Sequence, residues 1–387
     1  MLKFTAFTFL FFISSFYLSA QQKLSGKVVE KTTNTPVAFA TIQVKDAKST
    51  LTNENGEFEL NVKELPATIM VSHLNYIAAG FKVITADQAL NLSLSPQVMT
   101  LKEVAVGNPA VAIMRAVSEK AFKNYNKSFY GKAFLRQIAY DSGKPTYLNE
   151  IVLDAEWKAF GIVNWNPLQA RHLKGSKGVS YTNTSFYSFI FSGYMANNLH
   201  KKPVLKSVDS LYAFRLAGTF EQNGQEIAKI ICTPRKMLKG IRFEGTYYVN
   251  TVTDDVIKIE GLMKGLYFTN QGAVTVKNIE SAFIAQYKLN KDGDNVLDYS
   301  VFNTTNRIKV LGIGAQDTDL YSTLYMIDDE PGNKSSLKAL DPEQDDSKLV
   351  MSMTYNNDYW VKNQGIKRSE KEQAAIEILE KIPQVKK

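Results

Sequence analysis

The sequence holds one cysteine, Cys232, and three histidines, His73, His172 and His200, in 387 residues. A single thiol excludes an internal disulfide, so stability must come from packing and hydrogen bonds. No two histidines stand three or four residues apart, which removes the helical ligand pair of zinc hydrolases; no metal and no other cofactor is expected. Also missing are a Gly-x-Ser-x-Gly elbow, a P-loop and a dinucleotide fingerprint, and with them the common motif-based enzyme classes. The formal net charge is +8, yet the basic residues are interspersed with acidic ones and form no block, so nothing argues for nucleic acid. Beyond the first 20 residues no apolar run reaches the roughly 20 residues of a membrane-spanning helix.

What is present begins with Lys3, an apolar run from Phe4 to Leu18, and Leu18-Ser19-Ala20, which reads as a secretory leader cut after Ala20. No cysteine follows the cut, so the mature chain is not expected to be a lipoprotein. Cys232 sits in Ile230-Ile231-Cys232 and is expected as a small buried strand residue.

From residue 21 to about 96 the chain alternates polar and apolar residues at period two. Ala38, Ala40, Ile42 and Val44 share one strand face; Phe58, Leu60 and Val62 another; Leu90, Leu92 and Leu94 a third. Asn34-Thr35-Pro36, Asn55-Gly56 and Leu65-Pro66 punctuate them, and together these features predict two short sheets packed face to face. The order Gly26-Lys27-Val28, Pro36-Val37-Ala38-Phe39-Ala40-Thr41-Ile42, Thr52-Asn53-Glu54-Asn55-Gly56-Glu57-Phe58 and Ser72-His73-Leu74-Asn75-Tyr76 resembles the carboxypeptidase regulatory-like domain. Asn53 stands where that family usually has Asp, and Asn75 where it usually has Gly. The resemblance implies a transthyretin-like β-sandwich, an accessory module without peptidase activity, of the kind that opens envelope proteins of Gram-negative bacteria. It implies a periplasmic or outer-membrane-associated location.

Asn108-Pro109 is an N-cap followed by proline at the first helical position, and Val111, Met114, Val117, Ala121 and Tyr125 give one apolar stripe behind it. Residues 97–127 are thus a linker and helix. Residues 128–327 read as an antiparallel meander: 129–138 and 147–160 are aromatic-rich strands, and Gln222-Asn223-Gly224-Gln225, Thr253-Asp254-Asp255 and Asp292-Gly293-Asp294 are hairpin turns. The last also has a calcium-loop flavour, but its other ligand positions are missing. Residues 328–348 are expected as a polar loop, and 349–387 as a C-terminal strand and helix opened by the capping box Ser369-x-x-Glu372, with Ala375, Ile378 and Leu379 on its apolar side. The fold expected is mostly β: an N-terminal sandwich, then a larger antiparallel curved sheet or half-barrel with a few helices (α+β). This second part loosely resembles the lipoprotein-carrier type of envelope fold.

Two groups of residues carry candidate chemistry. Asp154 and Glu156, two apart on a strand, share a face and offer an acid and base pair for glycoside cleavage, or are merely solvated. Tyr181, Phe186, Tyr187, Phe189, Phe191 and Tyr194 interleave with Ser, Thr and Asn, with Trp157 and Trp165 upstream. Such rings either bind a sugar or protein partner or fill the core of the curved sheet. His73 is expected as an ordinary strand or turn residue, and His200, beside Lys201 and Lys202, on the surface. With no catalytic signature, the sequence favours a non-catalytic binding or accessory protein for an envelope protein, glycan or lipid; a glycan hydrolase and a periplasmic lipid carrier are the alternatives.

Overall fold

The structure, a computed structural model, describes residues 22–44, 49–87, 89–100, 108–175, 183–266, 274–312, 314–328, 330, 332–363 and 365–383. The expected leader and Tyr181 lie outside these residues. The chain is mostly β. Its first seven strands are β1 (Gln22–Glu30), β2 (Thr41–Val44), β3 (Thr50–Leu51), β4 (Glu57–Val62), β5 (Ala67–His73), β6 (Tyr76–Val83) and β7 (Leu90–Leu94). They form two sheets, β4-β1-β7 and β3-β2-β5-β6. Period two decides which side chains meet between them: Phe58, Leu60 and Val62 of β4 face inward and share one core with Ile42, Val44, Ile69 and Val71.

The turn before β4 shows why its residues are what they are. Asn53 Oδ1 accepts from the backbone N–H of Asn55 (3.0 Å) and Glu57 (2.9 Å), an acceptor role that an aspartate fills equally well. Gly56 has φ +74°, and a Cβ there would stand 2.5 Å from the Val28 carbonyl oxygen, so only glycine closes this turn.

The remaining elements are α1 (Pro109–Lys123), β8 (Phe129–Asp141), β9 (Lys144–Lys158), β10 (Gly161–Lys174), α2 (Thr184–Phe191), α3 (Val208–Leu211), β11 (Tyr212–Gln222), β12 (Gln225–Pro234), β13 (Arg242–Asn250), β14 (Val256–Lys264), β15 (Val274–Leu289), β16 (Asn295–Val310), β17 (Gly314–Asp328), β18 (Lys338–Ala339), α4 (Asp346–Met351), α5 (Asn357–Lys362) and α6 (Glu370–Glu380). All eleven strands join one antiparallel sheet in the order β11-β12-β13-β14-β15-β16-β17-β8-β9-β10-β18. Register shifts interrupt several of its ladders, including β8/β9, β9/β10, β13/β14 and β15/β16. Bulges of this kind sharpen strand twist, which lets so wide a sheet curl.

Both faces of the central strands are covered. On the inner face Ala133, Leu135, Leu153 and Ala155 pack with Met114, Val117 and Ala121 of α1 and with α2. Asn108 caps α1 as its sequence predicts, accepting from Ala110 N–H at 3.1 Å. On the outer face Phe134 and Val152 meet Trp360, and Ile138, Tyr140 and Leu148 meet α6. Double coverage explains why β8 and β9 are buried almost continuously instead of alternating. The N-terminal pair of sheets docks on this outer face too, through Leu51 and Phe39 against Tyr299, Val301 and Tyr325, and through Leu74 against Phe220, Ile227 and Tyr248.

Three expectations change. The loop expected over 328–348 contributes β18, which extends the sheet beyond β10, and a buried Asp346 at the start of α4. The strand expected within 349–387 does not form among the described residues, where the end of α4 and then α5 precede α6. In α6 the capping box forms as expected, but the buried residues are Ala375, Ile376 and Leu379, whereas Ile378 is 49% exposed. Ile376→Ala is therefore expected to cost about 2–4 kcal/mol and Ile378→Ala under about 0.5 kcal/mol in urea unfolding; equal losses would place α6 in the wrong rotation.

Candidate functional site

The aromatic stretch after β10 folds into a helix. α2 is apolar nearly all round, the signature of a helix buried on every side, and Phe189 and Phe191 are fully buried on the inner face of the sheet. Phe186 and Tyr194 are buried with them, and the partly buried Tyr187 stacks on Phe302. The described rings of this candidate set are core residues, with no open face for a sugar.

A buried helix leaves its terminal backbone groups in need of partners. The Asn183 side chain makes no capping bond; Asp346 of α4 instead accepts from Ser185 N–H at 3.3 Å. At the other end Lys202 Nζ donates to the carbonyls of Phe191 (3.0 Å) and Gly193. An acid at the N-terminus and an amine at the C-terminus both complement the helix dipole. The irregular chain that follows α2 is served by tyrosines: Tyr287 donates to Ser192 O (3.0 Å), Tyr247 to Tyr194 O (2.8 Å) and Tyr212 to Lys201 O (2.7 Å). The carbonyls of this irregular chain therefore keep side-chain donors, and Lys201 O also accepts from Phe243 N–H of β13 at 3.0 Å.

This corrects the surface placement expected for His200, which is buried. His200 lies against the Phe191 ring and Lys202 is fully buried, 4.7 Å above the Phe283 ring. Local sequence suggested exposure, but α2 needs a donor at its C-terminus and Lys202 supplies it. Burial pushes the Lys202 ammonium well below its ordinary range, and burial together with Lys202 does the same to His200. Cys232 is buried as expected, and burial raises its thiol well above the usual value.

Asp154 and Glu156 share the outer face of β9, as their spacing requires. Asp154 is buried and accepts from Gly332 N–H (3.1 Å) and Asn333 N–H (3.2 Å). Glu156 accepts from Ser128 Oγ and Asn164 Nδ2, both at 2.6 Å. Each carboxylate thus fixes neighbouring chain in place. The Asp292-Gly293-Asp294 segment is the β15–β16 hairpin turn, with Asn290 Oδ1 accepting from the N–H of Asp292 and Asp294. Among the described residues no group of three or more His, Cys, Asp and Glu is placed to hold a metal ion.

A groove of about 260 Å³ opens at the end of the sheet where β8 and β16 begin and β9 and β17 finish. Phe129, Trp157, Leu297 and Met326 form its apolar part; Asn290, Lys291 and Asp292 of the hairpin turn stand on one side, Glu330 and Lys334 on another. Trp157 is 1% exposed, and its buried Nε1–H has no acceptor among the described residues. Its ring touches Phe129, Tyr194 and Tyr287, with centroids 5.9–6.1 Å apart. A buried donor without a partner costs about 1–3 kcal/mol, and the buried Trp360 Nε1–H is in the same position. Sequence reading noted Trp157 as an aromatic but had no signal for the groove, whose walls come from four strands distant along the chain.

Fold and groove together define a two-part β protein: a small pair of face-to-face sheets docked on an eleven-stranded curved sheet with a ligand-sized opening at one end. Residues 24–106 match the family described as CarboxypepD_reg-like domain, in agreement with the resemblance carried by residues 26–76. No curated protein matches the chain. Among solved structures, a DUF1329 family protein from Desulfovibrio piger is 12% identical, with 60% of this chain and 100% of that one covered and a TM-score of 0.26. A protein from Bacteroides fragilis described as membrane-associated and of unknown function is 11% identical, with 80% and 98% covered and a TM-score of 0.17. A LolA superfamily protein from Nitrosomonas europaea is 13% identical, with 56% and 94% covered and a TM-score of 0.19. At such scores these likenesses carry no argument.

Proposed function

We propose that the chain is an exported, non-catalytic binding protein of a Gram-negative cell envelope, periplasmic or associated with the outer membrane, and that the groove over Trp157 holds its ligand. In this reading residues 21–96 are an accessory sandwich and residues 128–327 the binding part. The observation that carries it is the open groove itself, in which Phe129, Trp157, Leu297 and Met326 make an apolar floor beside the charged groups of Lys291, Asp292, Glu330 and Lys334. The apolar leader supports export, and no helix among the described residues is long and apolar enough to cross a membrane. A hydrolase reading is supported less, because Asp154 and Glu156 are engaged as loop anchors. A lipid carrier is supported less too, since α1, α2 and the chain after α2 pack against the inner face. The test incubates the purified mature chain with a detergent-free envelope extract, desalts it and weighs it by native mass spectrometry. Wild type is expected to keep an added mass that Trp157→Phe loses; no adduct, or the same adduct on both, contradicts the proposal.

A further inference from the structure

We infer that the chain docks on an anionic lipid surface through the loop between β12 and β13, an inference independent of the groove, which opens at the opposite end of the strands. The segment Arg235-Lys236-Met237-Leu238-Lys239-Gly240-Ile241-Arg242 carries four cations and no acid. A turn closed by Leu238 N–H donating to Arg235 O at 2.9 Å puts Lys236 and Met237 at its corner, with Leu238 buried. The fold brings two more cations to this loop from elsewhere in the chain. Lys201 N–H donates to Ile241 O at 2.9 Å, and Lys264 lies opposite Arg242 in the β13/β14 ladder. The stretches that contribute these cations, 157–208, 227–243 and 261–279, hold no Asp or Glu. Of the flanking acids, Glu244 is paired with Lys264 at 2.5 Å and Asp209 with Arg115 at 3.2 Å. Lys201, Arg235, Lys236 and Lys239 are exposed, and none of them meets a carboxylate among the described residues. The apolar tip then selects among anionic partners. Met237, between Lys236 and Lys239, is 69% exposed, and Leu199, two residues before Lys201, is 49% exposed. A soluble polyanion offers no hydrocarbon to a projecting methionine. A bilayer interface sets anionic headgroups directly above hydrocarbon, so cations around an outward apolar side chain match it layer by layer.

The experiment floats the purified mature chain with vesicles of phosphatidylcholine alone or of phosphatidylcholine with about one-third phosphatidylglycerol. Binding is expected on the anionic vesicles only, and should fall about tenfold or more between about 0.05 M and about 0.5 M salt. Lys236→Gln combined with Lys239→Gln should weaken it about 30-fold, two cations at about fivefold each. Both side chains are exposed, so the melting temperature of this double variant should not change. Met237→Trp reports the tip: its emission should shift to the blue on anionic vesicles and not on neutral ones, with wild type as the baseline for Trp157, Trp165 and Trp360. Equal binding to neutral vesicles, or a double variant that binds like wild type, overturns the assignment of this face. So does a Met237→Trp emission that stays in place while the chain is bound. If no vesicle is bound but polyglutamate or polyphosphate is, the partner is a soluble polyanion and the lipid surface is overturned. If nothing binds, the inference fails and the reading of the groove is untouched.

Discussion

Glu150→Ala is expected to lower the stability of the chain by about 3–5 kcal/mol, the cost of breaking a buried ion cluster from one side. Glu150 lies fully buried on the outer face of β9 and binds three guanidiniums: Arg136 Nε at 2.8 Å, Arg368 Nη2 at 3.1 Å and Arg171 Nη1 at 3.5 Å. Burial alone would raise its pKa, but Arg136, Arg368 and Arg171 outweigh it and hold the carboxyl below the ordinary value. The arginines continue into the C-terminal segment: Arg136 reaches Glu372 and donates to Ile366 O at 3.0 Å, and Arg171 reaches Glu380. Ser369 in turn donates to Glu54 of the N-terminal sheets at 3.1 Å. Removing Glu150 therefore leaves three cations facing one another at the junction of strand, C-terminal helix and sandwich. Urea unfolding measures the loss, and limited proteolysis should show cleavage near residues 366–383 first. A loss under about 1 kcal/mol with unchanged proteolysis would mean that the cluster does not hold the junction.

The second large effect is with acid. His73, His172 and His200 all stand in surroundings that keep the imidazole neutral. Burial and then Lys258 lower His73 to about 3; burial and then Lys174 lower His172 to about 4; His200 is driven well below its ordinary value. In the unfolded chain each protonates near 6.5, so between that value and about 4 the unfolded state binds up to three more protons than the folded one. The stability these neutral rings contribute is complete above 6.5 and is lost as pH falls, at about 1.4 kcal/mol per pH unit for each ring. Asp346 acts the other way. Burial raises it to about 6, opposed by the bonds from Ser185, so between about 6 and 3.8 its folded form holds the extra proton and stability rises as pH falls. His73 and His172 against Asp346 predict a net fall of about 2.5 kcal/mol between pH 7 and pH 5 in urea unfolding, and His200, displaced in the same direction, adds to it. His172→Phe, which keeps a ring against Tyr147, should reduce that fall by about 2 kcal/mol. A flat profile between pH 7 and pH 5 would contradict the buried-histidine account.

The parts of the fold that were legible in sequence are those where one residue type performs one local task. Asn108-Pro109 opened α1, Ser369 and Glu372 capped α6, Asn223-Gly224 turned β11 into β12, and Phe58, Leu60 and Val62 alternated into a core. The parts that were not legible depend on what covers a strand or a helix from elsewhere. Lys202 looks like a surface residue until α2 supplies carbonyls for it, and Ile378 looks as apolar as Ile376 until the outer face of β8 and β9 selects the rotation of α6. The aromatic run over 186–194 read more readily as core than as a binding surface, although ring content alone does not separate the two. The groove lay beyond sequence for a plainer reason: Phe129, Trp157, Leu297 and Met326 come together only through the strand order of the large sheet.

The chain purified from its native envelope without detergent and crystallised with whatever it carries gives the most direct measurement. A bound organic molecule is predicted in the groove, in contact with Phe129, Trp157 and Leu297. An empty groove, or one closed by its own side chains, would contradict the account.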